Sequence, residues 1–155
     1  MRITTRGRYA LRATLALARL GEDHKNMSVS IGVLSEQENI SSIFLEQIFF
    51  KLRKAGLVTS VRGPGGGFYF ARPLDQLSIR DILAAAGEEL DFVACDKQTR
   101  DCDRIGSCLA HSIWNDVTKL INDYFSKVTL AEIMEKHRVF DPAGGGEEDD
   151  KRTAP

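Results

Sequence analysis

Residues 95 to 111 read CDKQTRDCDRIGSCLAH and hold all three cysteines of the chain together with one of its three histidines. Six residues separate Cys95 from Cys102, five separate Cys102 from Cys108, and two separate Cys108 from His111. Thiolates and imidazole are the donors that bind zinc and iron-sulfur centres, so this spacing poses a metal question first. Disulfides compete, but three cysteines leave one unpaired, and a cytoplasmic protein is kept reduced. Structural zinc accepts three Cys and one His. Such sites commonly include a knuckle with two to four residues between cysteines, and here only Cys108 and His111 are that close. An iron-sulfur cluster needs thiolates spread around a larger inorganic core, which the open loops DKQTRD and DRIGS provide. His111 falls one helical turn past Cys108, where both side chains can face one object. An imidazole is neutral, can be protonated and holds iron less tightly than sulfur, which suits a cluster that can be lost. A thiol switch without metal is the remaining alternative. His24 and His137 stand in polar surroundings and read as surface residues.

The elements that would position this stretch differ in charge. Net charge is -1. Residues 1 to 72 nevertheless carry 11 Lys+Arg against 5 Asp+Glu, whereas residues 73 to 155 carry 10 against 17. A basic front half is the electrostatic footprint of a nucleic-acid module, although a merely solvated surface gives the same count. Hydrophobic content of 43% and charged content of 28% suit a folded domain, and 155 residues allow one core with an appendage. No apolar run is long enough to span a bilayer. The basic, apolar N-terminus is broken by Arg12 and Arg19, so it reads as an amphipathic helix of a cytoplasmic protein rather than a signal peptide.

Helical periodicity covers Gly7 to Leu20, with Tyr9, Leu11, Ala13, Leu15, Ala16, Ala18 and Leu20 apolar and Gly21 at the stop. Ser28 or Ser30 can cap a helix bearing Ile31, Val33 and Leu34, followed by a polar turn, EQENIS. Ser41 or Ser42 can cap the next helix, with Ile43, Leu45, Ile48, Phe49 and Leu52 inward and Gly56 at its end. Two short helices across a tight turn outline a helix-turn-helix. LVTSV and FYFAR, separated by RGPGGG, add a hairpin wing with Arg62 at the base of its tip. A glycine-rich tip can approach a phosphate backbone or the minor groove closely. A nucleotide cradle is disfavoured, because GPGGG is followed by a strand and not by a helix carrying Lys-Ser/Thr. Ser78 with Asp81 forms a capping box for a short helix ending at Gly87. After the cysteines, Ile113, Val117, Leu120, Ile121 and Tyr124 make one apolar stripe on a helix of about five turns, suited to packing against a second chain. Thr129 with Glu132 caps a last helix ending near Val139. Residues 141 to 155 read as a disordered tail.

Several stretches together resemble the IscR-like (Rrf-type) family of iron-sulfur winged-helix transcription regulators. They are MRITTRGRYAL, ISSIFLEQIFFKLRKAGLVTSVRGPGGGF, the Cys95, Cys102, Cys108, His111 set followed by SIWNDV, and VTLAEI. The resemblance covers about residues 1 to 135. It implies that Cys95, Cys102, Cys108 and His111 ligate a [2Fe-2S] cluster, and that the chain works as a homodimer on double-stranded operator DNA, as a repressor. It further implies DNA contacts from Ser41, Glu46, Gln47, Arg53, Arg62 and Gly63. Glu46 and Gln47 would read bases in the major groove, Glu46 by accepting from cytosine, and Arg62 would enter the minor groove. Two departures stand out: IscR has serine where this chain has Ile43, and its first cysteine spacing is one residue shorter. Nitric-oxide-sensing and iron-responsive members hold [4Fe-4S] clusters with three cysteines and no such histidine, so the four-iron cluster is the alternative.

The expected fold is mainly α with a small β-hairpin: a winged helix-turn-helix DNA-binding domain plus a long dimerisation helix. Its parts are the DNA-binding domain (1–90), a cluster-binding loop (91–111), the dimerisation and C-terminal helices (112–140) and the tail (141–155). No membrane or small-molecule substrate is expected as a partner. No nucleophile-base pair or second metal motif can be assembled, so the chain is not expected to be an enzyme. An iron-sulfur electron carrier without DNA affinity is the rival from another class.

Overall fold

A computed structural model describes residues 3–23, 28–91, 104 and 106–140. The chain forms α1 (Thr5–Asp23), α2 (Ile31–Glu38), α3 (Ser42–Lys54), β1 (Val58–Val61) and β2 (Gly67–Phe70). A 3-10 turn (Leu74–Gln76), α4 (Ile79–Ala86), α5 (Leu109–Lys127) and α6 (Leu130–Phe140) follow. The mainly helical fold with one hairpin agrees with the sequence expectation.

The core is built where the apolar periods of the helices converge. Leu45, Ile48, Phe49 and Leu52 recur at helical spacing on α3 and are fully buried against Leu34 of α2, Leu17 of α1 and Ile82 of α4. Burying each such side chain is worth ~1.5–3 kcal/mol, which holds α3 against the domain by one face and leaves the other to solvent. Helix α1 contributes Ala10, Ala13 and Ala16, small residues that permit close helix approach. The hydroxyl of its buried Thr14 donates to the carbonyls of Ala10 and Leu11. Gly21 was expected to end α1, yet the helix continues to Asp23. A single glycine costs about 1 kcal/mol relative to alanine, too little to stop a helix of 19 residues anchored by tertiary packing.

A second correction concerns the turn of the helix pair. Glu36, Gln37 and Glu38 belong to α2, and the turn is only Asn39, Ile40 and Ser41. Asn39 adopts the left-handed conformation at φ 51° and closes the helix, while Ile40 is buried. At the other end Ser30 accepts from the Val33 amide at 3.2 Å. Arg12 locks the pair to α1, donating to the Glu38 carbonyl at 2.7 Å and its carboxylate at 3.1 Å.

Both capping boxes read from sequence are present. Ser78 and Asp81 exchange reciprocal bonds at 3.1 Å, and α4 ends at Gly87 with φ 89°. The Glu132 amide donates to Thr129 at 3.2 Å, and the Thr129 amide donates back to Glu132. The start of α6 returns to the domain core: Leu130 is fully buried and donates to the Leu77 carbonyl at 2.9 Å. No residue of α5 is buried. The expected tail, 141–155, lies outside the described residues, and no described helix is long and apolar enough to cross a membrane.

Candidate functional site

The outer face of α3 carries the first half of the site. With Leu45, Ile48, Phe49 and Leu52 inward, the same period turns Ile43, Glu46, Gln47, Phe50 and Arg53 to solvent. Ile43 was expected inward and is 69% exposed. It precedes Leu45 by two residues, about 200° around a helix, so the stripe led by Leu45 excludes it. Phe44 takes the half-buried place instead, its ring edge-on to Tyr9 at 5.7 Å. Ser41 occupies the N-cap of α3 but makes no capping hydrogen bond, and both it and Ser42 are exposed. Phe50, 58% exposed, was not singled out by sequence, although its spacing from Ile43, Glu46 and Gln47 carries the signal.

Arg53 ties this face to the wing. Its guanidinium lies over the Phe50 ring at 5.8 Å and donates to the Ser60 hydroxyl at 3.1 Å. In the wing itself, β1 and β2 pair antiparallel from Val58 opposite Phe70 to Val61 opposite Gly67. Val29 adds a third, short strand position through two bonds with Phe68, 2.9 and 2.8 Å. Ser28 donates to the Gly65 carbonyl at 2.9 Å, anchoring the tip to the segment before α2. Gly67 has no room for a side chain, because a Cβ there would overlap the Val29 carbonyl. Arg62 and Gly63 are exposed at the tip, with Gly63 at φ 95°. Thus Ser41, Glu46, Gln47, Arg53, Arg62 and Gly63 are all surface residues of α3 and the wing.

The thiol and imidazole set is described in part. Cys95 and Cys102 lie outside the described residues, as does His24. Cys108 is the N-cap of α5; its exposed thiol makes no capping bond. His111 stands in the first turn, its amide donating to the Cys108 carbonyl at 3.1 Å. Its Nε2 faces Asn115 Nδ2 at 3.0 Å, and its Nδ1 is buried with no hydrogen-bond partner among the described residues. A thiol and a nitrogen left without partners on one turn fit a metal-ligating role. By themselves the described residues assemble no group of three or more His, Cys, Asp or Glu able to hold a metal ion. His137 is exposed on α6, as the sequence suggested.

Glu88, just past α4, clasps the start of α1. Its carboxylate accepts from the Thr4 amide at 3.0 Å and from the Thr4 hydroxyl. Burial alone would raise this carboxyl, but hydrogen bonds from Thr4 and Gly7 and the charge of Arg6 together hold it below its ordinary value.

A helix pair braced on a three-helix core, its second helix turned outward beside an arginine-tipped wing, defines a winged helix-turn-helix DNA-binding protein. Comparison with known proteins narrows the class. A family model, Rrf2, described as an iron-dependent transcriptional regulator, matches residues 3–136. The chain belongs to the Rrf2 family of transcriptional regulators. An HTH-type transcriptional regulator of Neisseria meningitidis is 44% identical over 136 residues, spanning 88% of this chain and 89% of that one. IscR of Photorhabdus laumondii is 36% identical over 155 residues, spanning all of this chain and 92% of its own. Among solved structures, T. potens IscR superposes with a TM-score of 0.72 at 28% identity, covering 94% of each chain. The chain is therefore IscR-like, a transcription regulator and not an enzyme, and regulators of this family bind DNA.

Proposed function

We propose that this regulator acts as a homodimer, as a repressor, whose choice or occupancy of operators follows the iron-sulfur status of the cell. Its ligand set would be Cys95, Cys102, Cys108 and His111, holding a [2Fe-2S] cluster. The observation that carries the reading is the first turn of α5, where the Cys108 thiol caps nothing and the buried Nδ1 of His111 has no hydrogen-bond partner among the described residues. A buried polar nitrogen left unpaired costs about 1–3 kcal/mol, a cost that ligation removes. When bound, a cluster there supplies a centre that reacts with oxidants and is lost when iron is scarce. The histidine favours two irons over four, on the resemblance set out above.

The DNA-reading residues act through position. Glu46 and Gln47 stand one turn into α3 on its outer face, where a carboxylate accepts from cytosine and an amide pairs with adenine. Ile43 adds an apolar contact suited to a thymine methyl. Arg62 carries positive charge beside an exposed glycine-rich tip, where few side chains would hold the backbone away from a groove. Helix α5 would pass its apolar stripe to the second protomer, with the ligand loop at its N-terminal end, so that loading of the loop and the spacing of two α3 helices are linked through one element.

The test is protein purified without oxygen, examined by visible absorption with iron and sulfide analysis. The expected result is a coloured protein with equal iron and sulfide, and a Cys108→Ala variant that is colourless yet folded. A colourless wild-type protein containing zinc overturns the cluster reading and favours a zinc or thiol switch on the same DNA-binding scaffold.

A further inference from the structure

Asn115 lies one turn after His111 on α5, exposed, with its amide 3.0 Å from Nε2 of the imidazole. A half-turn of the amide about Cβ–Cγ exchanges its oxygen and nitrogen, so the same contact is made with Oδ1 accepting from an Nε2–H. In that arrangement Nε2 keeps the proton and Nδ1 keeps the lone pair. Nδ1 is also the nitrogen that is buried and without a hydrogen-bond partner among the described residues. The two ring nitrogens are thus unequal: one is engaged by a side chain of its own helix, and the other is reserved. Metal-ligating histidines are held in this way, their second nitrogen donating to an oxygen that fixes tautomer and ring orientation and raises ligand basicity. The i, i+4 spacing makes the contact a property of α5 itself, formed as the helix forms.

We propose that Asn115 is a positioning residue that fixes the tautomer of His111 and presents Nδ1 as the ligating nitrogen. The inference rests on the reading of His111 as a cluster ligand. Its consequence is that the lability and potential of the cluster are tuned from the exposed face of α5, by a residue that touches neither iron nor sulfide.

The test compares wild-type holo-protein with Asn115→Leu, which keeps the size but removes the acceptor, and Asn115→Asp, which keeps an acceptor and adds charge. Each is labelled with 15N-histidine, prepared without oxygen, reduced and examined by pulsed electron paramagnetic resonance. Reduction potential and the rate of iron loss to a chelator are measured on the same samples. Wild type and Asn115→Asp should show coupling to one histidine nitrogen. Asn115→Leu should lose iron roughly tenfold faster, the lower end of the effect of removing such a partner. The potentials should move in opposite directions, upward in Asn115→Leu as the imidazole becomes less basic and downward in Asn115→Asp as it becomes more so. A merely structural role on an exposed helix face would not reverse sign between the two. Intact histidine coupling with unchanged potential and iron-loss rate in both variants overturns the role of Asn115 alone. Absence of the cluster, or of histidine coupling, in the wild type overturns the ligand reading and this inference with it.

Discussion

Arg62 stands exposed where β1 gives way to the glycine-rich tip, and its contribution is separable from folding because no core contact depends on it. Arg62→Ala is expected to weaken operator binding by ~1–3 kcal/mol in a titration at fixed salt, the range for one good DNA contact. Unchanged affinity would remove the wing from the interface. Glu88 makes a different kind of prediction. Its carboxyl is held below its ordinary value in the folded chain, so its contribution is present above the unfolded-state value and fades as pH falls through the folded one. Glu88→Gln should therefore melt below wild type at pH 7, and the gap should narrow as pH falls through the lowered folded-state value of the wild-type carboxyl. A gap independent of pH would mean that the clasp to Thr4 works by shape and not by charge. Ile43 marks the limit of reading single residues. Its apolar character suggested burial, and only the phase of the Leu45, Ile48, Phe49, Leu52 stripe reveals that it faces out.

At the scale of elements, what was legible is what is settled within a few residues. The capping boxes of Ser78 with Asp81 and Thr129 with Glu132 each join a side chain to a backbone amide three residues away, and both are present as read. The outline of α2, α3 and the hairpin was equally local. Three features were not legible because tertiary packing decides them: the extension of α1 through Gly21, the helical state of Glu36 to Glu38, and the pairing of Val29 with Phe68. The last gives the wing its support, since it fastens β2 to the segment leading into α2. Gly67→Ala tests that support directly, because a methyl group there meets the Val29 carbonyl. The expected outcome is destabilisation of about 1–3 kcal/mol in denaturant unfolding, accompanied by weaker operator binding. Full stability would show that the bridge is dispensable. For the proposed ligand set, Cys95 and Cys102 lie outside the described residues, and the structure adds how His111 is held. The reason is again range: spacing reports which residues are near, whereas the engaged nitrogen depends on a rotamer.

At the scale of the molecule, the described residues expose two faces that differ in charge. The face of α3 and the wing mixes Ile43 and Phe50 with polar side chains and carries the cations Arg53 and Arg62, as a phosphate-bearing partner requires. The face of α5 exposes Ile113, Leu120 and Tyr124, the last two at 69% and 60%. Aligned apolar side chains on one long helix favour association with a second copy, which would also set the distance between two recognition helices. Leu120→Asp is expected to give a folded monomer by light scattering, with operator affinity lost; a dimer of unchanged mass would place the interface elsewhere. On the proposed function, loading of the ligand set changes how the molecule reads DNA. This is tested most directly by selecting binding sites from a random duplex library with oxygen-free wild-type protein and with Cys108→Ala, at one salt concentration. The two proteins are expected to enrich different operator sequences, or the same sequence with clearly different affinity. Identical enrichment and identical affinity would contradict it.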